Sequence, residues 1–423
     1  MMREMRNSNI DWYGVIPTDW KLAKVKDCFI RKKDNSYEEN PVVLSLARSG
    51  VKIRDISNNE GQLAEDYSNY NHVQVGDLLL NPMDLISGDN CSISEVDGVI
   101  SPAYFNLGAK EIIFSKYYHY LFKMLYWNKC LFAHGKGVSY QNRWTLNWET
   151  FSQMKILLPP KEEQIKISKY LDSELDKVSM IIKETEETIE KYKEYKQSII
   201  TEVVIGGLNK EVEKRNSGIE WIGDIPSHWK ISRIKNILEW KSIKNHPEET
   251  VLSLYREYGV IPKDSRTDNH NVTSEDTSSY KLVDVGDFVV NKMKAWQGSM
   301  AVSDYRGIIS PAYHICSFKK NVNINKKYFH YLLRNKVYTP EFRRLSAGIR
   351  EGQWDLSFDD FKNIPYLIPP IEEQDKIVEY IDNKYKEIDI LIEEKNSLIK
   401  QLEEYKKSLI YEYVTGKREI RGN

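Results

Sequence analysis

The segment SGIEWIGDIPSHWK, from Ser217 to Lys230, lies in the middle of a chain of 423 residues. A closely similar segment, DWYGVIPTDWK, already occurs near the start, from Asp11 to Lys21. Five residues recur at an offset of 209: Trp12, Gly14, Pro17, Trp20 and Lys21 return as Trp221, Gly223, Pro226, Trp229 and Lys230. The sequence therefore opens twice, which indicates two copies of one unit.

The duplication extends along the whole chain, with an offset that stays between 208 and 211. The matching segments are VLSLAR (43–48) and VLSLYR (251–256), VGDLLLN (75–81) and VGDFVVN (285–291), ISPAY (100–104 and 309–313), and LLPPKEEQ (157–164) and LIPPIEEQ (367–374). Solenoid repeats have periods of about 20 to 50 residues, so a period this long indicates a duplicated domain.

Each copy begins with a globular part that mixes short β-rich runs, such as PVVLSL, with the helical stretch KYYHYLFKMLYWNK or its partner. This mixture predicts an α+β fold. A Pro-Pro pair then opens a segment free of Gly and Pro, which predicts a long helix from Lys161 to about Ile205 and another from Ile371 to about Thr415. The predicted divisions are 1–160 and 209–370 for the globular parts, 161–208 for the central helix, and 371–423 for the C-terminal helix and tail.

Apolar residues in both predicted helices follow a period of 3.5 residues. The seam positions are Leu171, Leu175, Val178, Ile182, Thr185, Ile189, Tyr192, Lys196, Ile199 and Val203, and then Ile381, Tyr385, Ile388, Ile392, Lys395, Ile399, Leu402, Lys406, Leu409 and Tyr413. Sustained steps of four and three predict a coiled coil; about 45 residues of helix would be roughly 67 Å long. The alternative is two amphipathic helices that each pack on their own domain. The three seam lysines either set the register or extend their charged ends to solvent.

An antiparallel pair of these helices would relate the two globular parts by a pseudo-twofold axis. Because duplex DNA has two antiparallel strands, such a protein can present its domains equivalently to two half-sites. The copies differ most in their loops: residues 58–67 share little with 267–278, and NPMDLISGDN differs from NKMKAWQGSM. Two different domains would read two different half-sites, so the expected target is asymmetric and bipartite.

The composition limits the class of protein. The net charge is −1, although 22 basic and 18 acidic residues give residues 216–370 a net charge of +4. DNA-binding proteins usually show a stronger basic footprint, so any DNA contact is confined to a patch or shared with a partner. The four cysteines lack CxxC spacing, so neither a zinc site nor a disulfide framework is expected, and a reducing compartment, the cytoplasm, fits best. No signal peptide or membrane span is expected.

Three segments carry a resemblance to a known family: SGIEWIGDIPSHWK, NKMKAWQGS followed by ISPAY, and GIREGQWDLSFDDFKNIPYLIPPIEEQ before the last helix. On these segments the chain resembles the specificity subunit of type I restriction-modification systems over nearly its whole length. The first copy, GKGVSYQNRWTLNWETFSQMKILLPPKEEQ, matches more loosely, because Asn142 and Arg143 replace the Gly-Gln pair before the Trp.

The resemblance implies a noncatalytic protein that reads double-stranded DNA. Its globular parts would be two target-recognition domains, and its two long helices would form an antiparallel coiled coil that holds them apart and docks two methyltransferase subunits. Those subunits would methylate adenine in each half-site, and two restriction (motor-nuclease) subunits would cut unmodified DNA. No cofactor is expected on this chain; S-adenosylmethionine, ATP and Mg are expected on the partner subunits.

Two other classes of function remain as alternatives. A standalone DNA methyltransferase is suggested by the SPAY segments at 101–104 and 310–313, which approach the (Asp/Asn/Ser)-Pro-Pro-aromatic loop of amino-methyltransferases. The second proline is missing and no glycine-rich cofactor loop precedes them, so both are predicted to be structural turns. His119 and His330 occupy matching helical segments and are predicted to be packed rather than catalytic. The other alternative is a coiled-coil scaffold without a DNA role.

The residues predicted to contact DNA are cations and amides in polar loops, because phosphates attract Lys and Arg and base edges accept bidentate hydrogen bonds. The predicted contacts are Arg48, Lys136, Tyr140, Gln141, Asn142 and Arg143 in the first copy, and Arg256, Lys292, Lys294, Arg343, Arg344, Arg350 and Gln353 in the second. Arg48 and Arg256 occupy matching positions, which favours a phosphate contact or a fixed ion pair over base reading. Trp144 and Trp354 also match and are predicted to lie in the core.

Overall fold

The computed structural model describes residues 3–35, 41–55, 66–83, 85, 91–137, 144–256, 258–266, 273–274, 276–348 and 354–420. The chain divides into two compact units, the first formed by Met1–Thr185 and Asn396–Asn423 and the second by Glu186–Lys395. Each unit therefore contains one globular part and a portion of both long helices.

The first unit contains twelve strands among its described residues. They are β1 (Met5–Asn7), β2 (Val15–Pro17), β3 (Lys21–Lys24), β4 (Phe29–Lys32), β5 (Leu44–Ala47), β6 (Gly50–Ile53), β7 (Asn71–Val73), β8 (Leu78–Leu80), β9 (Cys91–Ile93), β10 (Gly98–Ile100), β11 (Phe105–Ala109) and β12 (Lys155–Leu158). The helices are α1 (Val25–Cys28), α2 (Ser115–Trp127), α3 (Cys130–Ala133), α4 (Trp148–Gln153) and α5 (Lys161–Gly206), the last of which extends into the second unit.

The second unit repeats this order. Its strands are β13 (Lys214–Asn216), β14 (Asp224–Pro226), β15 (Lys230–Arg233), β16 (Leu238–Lys241), β17 (Leu252–Tyr255), β18 (Gly259–Pro262), β19 (Lys281–Val283), β20 (Phe288–Asn291), β21 (Met300–Val302), β22 (Gly307–Ile309), β23 (Tyr313–Phe318) and β24 (Pro365–Ile368). Its helices are α6 (Lys326–Leu333), α7 (Thr339–Leu345), α8 (Phe358–Phe361) and α9 (Ile371–Val414), with short 3₁₀ turns at Ile234–Asn236, Lys263–Ser265, Ala295–Gln297 and Lys336–Tyr338.

The sheets of the two units have the same topology. A four-stranded antiparallel sheet has the order β4-β11-β8-β9 in the first unit and β16-β23-β20-β21 in the second. The last strand of each globular part returns to pair with an early one, β12 with β3 and β24 with β15. The predicted α+β fold and internal repeat are confirmed, and α5 and α9 begin at the residues that follow the Pro-Pro pairs.

The core of each unit lies between this sheet and the helix that follows it. In the first unit Tyr118 and Phe122 of α2 pack on Phe29 of β4, with ring centroids 5.2 and 6.0 Å apart. In the second, Phe329 of α6 packs on Phe288 of β20 at 5.1 Å. Aromatic residues at helical spacing therefore bury one face of each helix against the pleated face of the sheet.

The repeated Val-Gly-Asp segment fixes the edge strand of each sheet. Lys32 of β4 donates to Asp77 at 2.8 Å, and Lys241 of β16 donates to Asp287 at 2.7 Å. Each aspartate also accepts a backbone N–H three residues earlier, from Gln74 or Asp284, at 2.9 Å. The carboxylates are buried, so these bonds offset the loss of their hydration.

The opening Trp motif holds the start of the long helix in the same unit. The Trp20 indole N–H donates to Glu163 at 2.8 Å, and that of Trp229 donates to Glu373 at 3.1 Å. Both indoles are buried, and both carboxylates lie in the first turn of their helices, where the helix dipole favours an anion. The repeated Trp and Glu-Glu-Gln segments thus recur because they bind one another.

The same motif receives the end of the other long helix. Gly416 follows α9 with φ +68°, and a Cβ there would lie 2.5 Å from Pro17; Gly207 follows α5 with φ +75°, and a Cβ there would lie 3.3 Å from Trp229. Both the left-handed backbone and the close approach require glycine. The hydroxyls of Tyr117 and Tyr328 bond the terminal carbonyls of Val414 and Val204 at 2.7 and 3.2 Å.

The two long helices run antiparallel within each unit. In the first, Lys166 bonds the carbonyl of Ile420, and Tyr170 packs on Tyr413 with centroids 4.6 Å apart. In the second, Gly207 approaches Glu373 and Lys196 forms an ion pair with Asp389 at 2.7 Å. All predicted seam positions are buried or half-buried, so the coiled-coil prediction is confirmed.

The seam lysines at matching positions behave differently. Lys196 bonds across the helix pair to Asp389 and lies 4.2 Å above the Tyr385 ring, whereas Lys406 lies 3.7 Å from Glu403 on its own helix. Lys196 is therefore a register-specific contact. None of the helices in the described ranges is long and apolar enough to cross a membrane.

Candidate nucleic-acid interface

Two equivalent hairpins precede the last strand of each globular part. In the first unit the backbones of Lys136 and Thr145 exchange hydrogen bonds of 2.8 and 3.0 Å, and in the second Ala347 and Asp355 exchange bonds of 3.2 and 2.9 Å. These bridges close the base of each hairpin. The predicted contacts Tyr140, Gln141, Asn142, Arg143, Arg350 and Gln353 belong to the hairpin tips, which lie outside the described residues.

Each hairpin base is attached to the segment that leaves a central strand of the sheet. The backbone N–H of Leu146 bonds the carbonyl of Pro82 at 2.9 Å, and that of Leu356 bonds the carbonyl of Lys292 at 3.0 Å. In the second unit the Lys292 ammonium also donates to the Asp355 carboxylate at 2.9 Å. The two groups of residues predicted separately, around 292–294 and 343–353, therefore meet at one place.

Trp354 is the centre of this cluster in the second unit. Its ring lies 5.4 Å from that of Trp296 in an edge-to-face arrangement, and the guanidinium of Arg343 lies 5.5 Å from its centroid. Trp354 is half-buried, so the prediction of a core position was wrong. The ring serves instead as a wall that holds an exposed arginine by a cation–π contact.

Trp144 takes the matching place in the first unit with different neighbours. Its indole N–H donates to the carbonyl of Phe132 at 2.9 Å, and its ring lies 5.4 Å from that of Phe132. It too is half-buried rather than in the core, because the hairpin base stands at the edge of the globular part. Lys136 is exposed beside it.

The remaining predicted contacts occupy exposed turns. Arg48 lies in the turn between β5 and β6, and Arg256 in the matching turn between β17 and β18. Lys294 is exposed beside Lys292. Arg344 donates twice to Glu341, at 2.7 and 2.8 Å, which leaves its guanidinium fewer donors for another partner. Among the described residues neither Arg48 nor Arg256 forms an ion pair, so the phosphate interpretation is favoured for both.

The residues that raised the methyltransferase alternative have structural contacts. The carbonyls of Ser101 and Ser310 accept the N–H of Tyr104 at 3.1 Å and Tyr313 at 3.2 Å, so each SPAY segment forms a turn that leads into β11 or β23. His119 and His330 lie on α2 and α6, and burial lowers the pKa of each imidazole to about 3. Both are therefore neutral packing residues at neutral pH.

Sequence reasoning missed three residues near this surface. Trp296 walls the Trp354 cluster, and Arg334 and Lys336 line a cleft with Arg256. The available signal was the pair of cations directly after the repeated KYFHYLL segment. In the part of the chain that the structure describes, no group of three or more His, Cys, Asp or Glu side chains is placed to hold a metal ion.

Comparison with known proteins gives relatives that match this duplicated arrangement. The chain is similar to the specificity subunit of the type I restriction enzyme MjaVIII of Methanocaldococcus jannaschii, at 23% identity over 96% of this chain and 94% of that protein. It is also similar to the EcoKI specificity subunit of Escherichia coli, at 22% identity over 76% of this chain and 68% of that protein.

Two solved structures share the fold. The HsdS subunit from Thermoanaerobacter tengcongensis matches with a TM-score of 0.52 and 16% identity, over 95% of this chain and 98% of that one. A chain from a structural study of complex assembly and conformational transition in the type I R-M system matches with a TM-score of 0.68 and 14% identity, over 95% and 99%. At these identities the likeness concerns the fold.

A family model described as "Type I restriction modification DNA specificity domain" matches twice, at residues 17–191 and 226–401. The two matches coincide with the two copies found in the sequence, and each covers one globular part and the first half of the helix after it. The chain therefore belongs to the type I restriction-modification DNA specificity domain family.

Proposed function

We propose that this chain is the noncatalytic specificity subunit of a type I restriction-modification complex. Residues 1–160 and 209–370 act as target-recognition domains, and each reads one half of a bipartite, asymmetric DNA sequence. The observation that carries this proposal is the pair of hairpins, which stand at the same place on the same fold but differ in sequence and in the neighbours of their tryptophans. A frame that repeats beneath loops that differ is suited to reading two different half-sites.

The chemistry of the hairpins suits base reading. Gln141, Asn142 and Gln353 carry amides that can pair with adenine, and Arg143 and Arg350 carry guanidiniums that can pair with guanine. Lys292 and Arg343 at the hairpin base supply charge for the phosphates that flank the bases. The small overall charge of the chain means that partner subunits contribute part of the DNA affinity.

The long helices are proposed to fix the distance between the half-sites and to dock two methyltransferase subunits. Exposed apolar side chains support a docking role: Met180 and Ile181 of α5 are 63% and 46% exposed, and Ile390 and Leu391 of α9 are 50% and 38% exposed. Apolar residues clustered on a polar helix surface mark interaction sites. One such cluster lies on a long helix in each unit, in keeping with two bound subunits.

The chemical steps are assigned to the partners. Methyltransferase subunits would carry S-adenosylmethionine, and two restriction subunits would carry ATP and Mg and cut unmodified DNA in the cytoplasm. The purified chain, incubated with S-adenosylmethionine and DNA, is expected to transfer no methyl group, while addition of the methyltransferase subunit restores transfer. Robust transfer by the chain alone would refute the noncatalytic role.

Selection of duplexes from a random pool tests the reading role. The full-length chain with its methyltransferase subunit is expected to enrich a two-part, asymmetric sequence with a fixed gap and half-site centres about one DNA turn apart. Enrichment of a continuous palindrome would contradict a two-domain reader, and absence of any enriched sequence would favour a scaffold without a DNA role.

The spacing role has a separate test. Insertion of one heptad into α5 keeps the seam in register and lengthens the helix by roughly 10 Å. The gap between the half-sites is expected to change, or binding to be lost. An unaltered gap would show that the helices do not set the spacing.

A further inference from the structure

A basic cleft of about 730 Å³ lies within the second unit, apart from the hairpin tips. It opens between α6, the turn that joins β17 to β18, and the loop after β20. Four cations line it, namely Arg256, Lys327, Arg334 and Lys336, against one carboxylate, Asp304. Lys327 is paired with Asp382 at 2.6 Å, so the excess charge resides on the other three cations.

Arg334 is the inner cation of this cleft. Its guanidinium donates to the carbonyl of Arg256 and places Nη1 3.0 Å from Nε2 of His330. The backbone N–H of Val302 approaches the other ring nitrogen of His330, Nδ1, at 3.1 Å. A neutral imidazole has one lone pair to offer, so it cannot accept from both neighbours. Arg334 therefore keeps a donor that His330 does not fully satisfy.

The charge of Arg334 also lacks a counter-ion. Burial lowers the pKa of this guanidinium, and the positive charge of Arg256 beside it adds to that effect. Within the described ranges no carboxylate forms an ion pair with Arg256, Arg334 or Lys336. A desolvated cation without an anion is costly to maintain, and a bound anion would offset that cost. Two adjacent guanidiniums with forked donors are suited to phosphate oxygens.

The cleft is continuous with the predicted DNA surface. Gln297 and Gly298 line it and belong to the same loop as Lys292 and Trp296, which contact the hairpin base. Thr339 also lines it and begins α7, which carries Arg343 beside Trp354. A strand that passes the hairpin thus meets the cleft next, which favours a nucleic-acid phosphate over an acidic segment of a protein partner.

We infer that this cleft binds a backbone phosphate of DNA next to the half-site read by the second domain. Arg334 and Arg256 supply the donors, and Lys336 adds charge at the rim. The inference rests on the proposed DNA-reading function and extends it from the hairpins to a phosphate anchor. Because a phosphate contact carries no base information, the anchor strengthens binding without changing the sequence that is read.

The test compares Arg256→Gln and Arg334→Met with Lys320→Gln, an exposed lysine of the same unit that does not line the cleft. Binding of cognate duplex by the full-length chain with its methyltransferase subunit is measured from low to high salt. Each cleft variant is expected to bind about tenfold more weakly, with the salt dependence reduced by about 0.9 per lost phosphate contact, while Lys320→Gln stays close to the parent. Arg256 is exposed, so its variant remains informative if Arg334→Met folds poorly.

The outcomes separate the cleft from the general function. If the parent binds DNA and both cleft variants keep its affinity and salt slope, the anchor is refuted and the reading role stands. If the parent binds no DNA, both fail. Inorganic phosphate and ATP are added separately in a thermal-shift assay; stabilisation by free ATP that Arg256→Gln abolishes, with unchanged DNA binding, would assign the cleft to a free nucleotide and overturn the inference. An enriched sequence that changes in the cleft variants would also contradict a phosphate contact.

Discussion

The two units share a frame but differ at the exposed edge of their sheets. Trp20 and Trp229 make the same indole bond to Glu163 and Glu373. At another matching pair of positions, Arg31 of β4 lies over the Trp148 ring at 5.3 Å, whereas Trp240 of β16 is 54% exposed and packs on Phe358. Contacts that hold the long helices therefore repeat, and contacts at the edges of the sheet change.

This contrast separates two kinds of constraint on the duplicated chain. Every residue of the frame must satisfy a buried partner from a distant segment, so both partners recur together in both copies. Edge and hairpin residues face outward and can differ between the copies without loss of the fold. The difference between the units thus indicates where reading of different half-sites takes place.

Removal of the opening tryptophan should have the largest effect on either unit. Trp20→Ala and Trp229→Ala delete a fully buried side chain and leave Glu163 or Glu373 without its indole donor, which should lower the free energy of unfolding by about 3 to 5 kcal/mol. Denaturant unfolding with hydrogen exchange would assign the loss to the unit that carries the change. Trp240→Ala, at an exposed position, should cost less than about 1 kcal/mol; equal effects at 229 and 240 would contradict the distinction between frame and edge.

The buried aspartates offer a finer comparison. Asp77→Asn leaves Lys32 with the neutral Gln74 at 2.8 Å, whereas Asp287→Asn leaves Lys241 with the carboxylate of Asp284. The first change should therefore lower the free energy of unfolding by about 2 to 3 kcal/mol and the second by about 1 kcal/mol. The same unfolding measurement decides; a larger loss for Asp287→Asn would show that Asp284 does not substitute.

Substitutions in the hairpin tips should change reading without changing the fold. Gln353→Ala should relax one base position in one half-site by about 1 to 3 kcal/mol, and Gln141→Ala should do the same in the other half-site. Selection from randomised duplexes gives the preference at each position. Relaxation of both half-sites by a single change would contradict independent reading by the two domains.

Acid should distinguish the units by the smallest margin. The hydrogen bond from Lys241 lowers the pKa of Asp284 below its ordinary value of 3.8, so its stabilising contribution is present above that value and is lost as the pH falls through the lower folded pKa. Asp284→Gln introduces the residue found at the matching position of the first unit. It should cost less than about 1 kcal/mol at pH 7, and the difference from the parent should narrow below about pH 4. A difference that is constant with pH would refute this role.

The duplication and the long helices could be predicted from the sequence because their signals are local. A Pro-Pro pair marks where α5 and α9 begin, the absence of Gly and Pro marks their extent, and the 3.5-residue period marks the buried seam. The predicted first helix, Lys161 to about Ile205, agrees with Lys161–Gly206. The family could be identified for the same reason, since its motifs are short and ordered along the chain.

The contacts between distant segments could not be predicted. Nothing in the sequence alone pairs Lys32 with Asp77 or seats Gly416 against Pro17, because these contacts depend on strand order and helix direction. Trp354 was expected in the core because tryptophan usually is, but its place at a hairpin base is set by the loop after β20. Arg334 gains its importance only from the turn that brings Arg256 beside it.

The most direct test of the account is a map of adenine methylation in cells that carry this chain with its methyltransferase subunit. The account predicts methylation at a two-part, asymmetric sequence with a fixed gap, and predicts that exchange of residues 348–354 for those of a relative changes one half of that sequence only. Methylation at a continuous palindrome, or a change in both halves after this single exchange, would contradict the claim that each domain reads its own half-site.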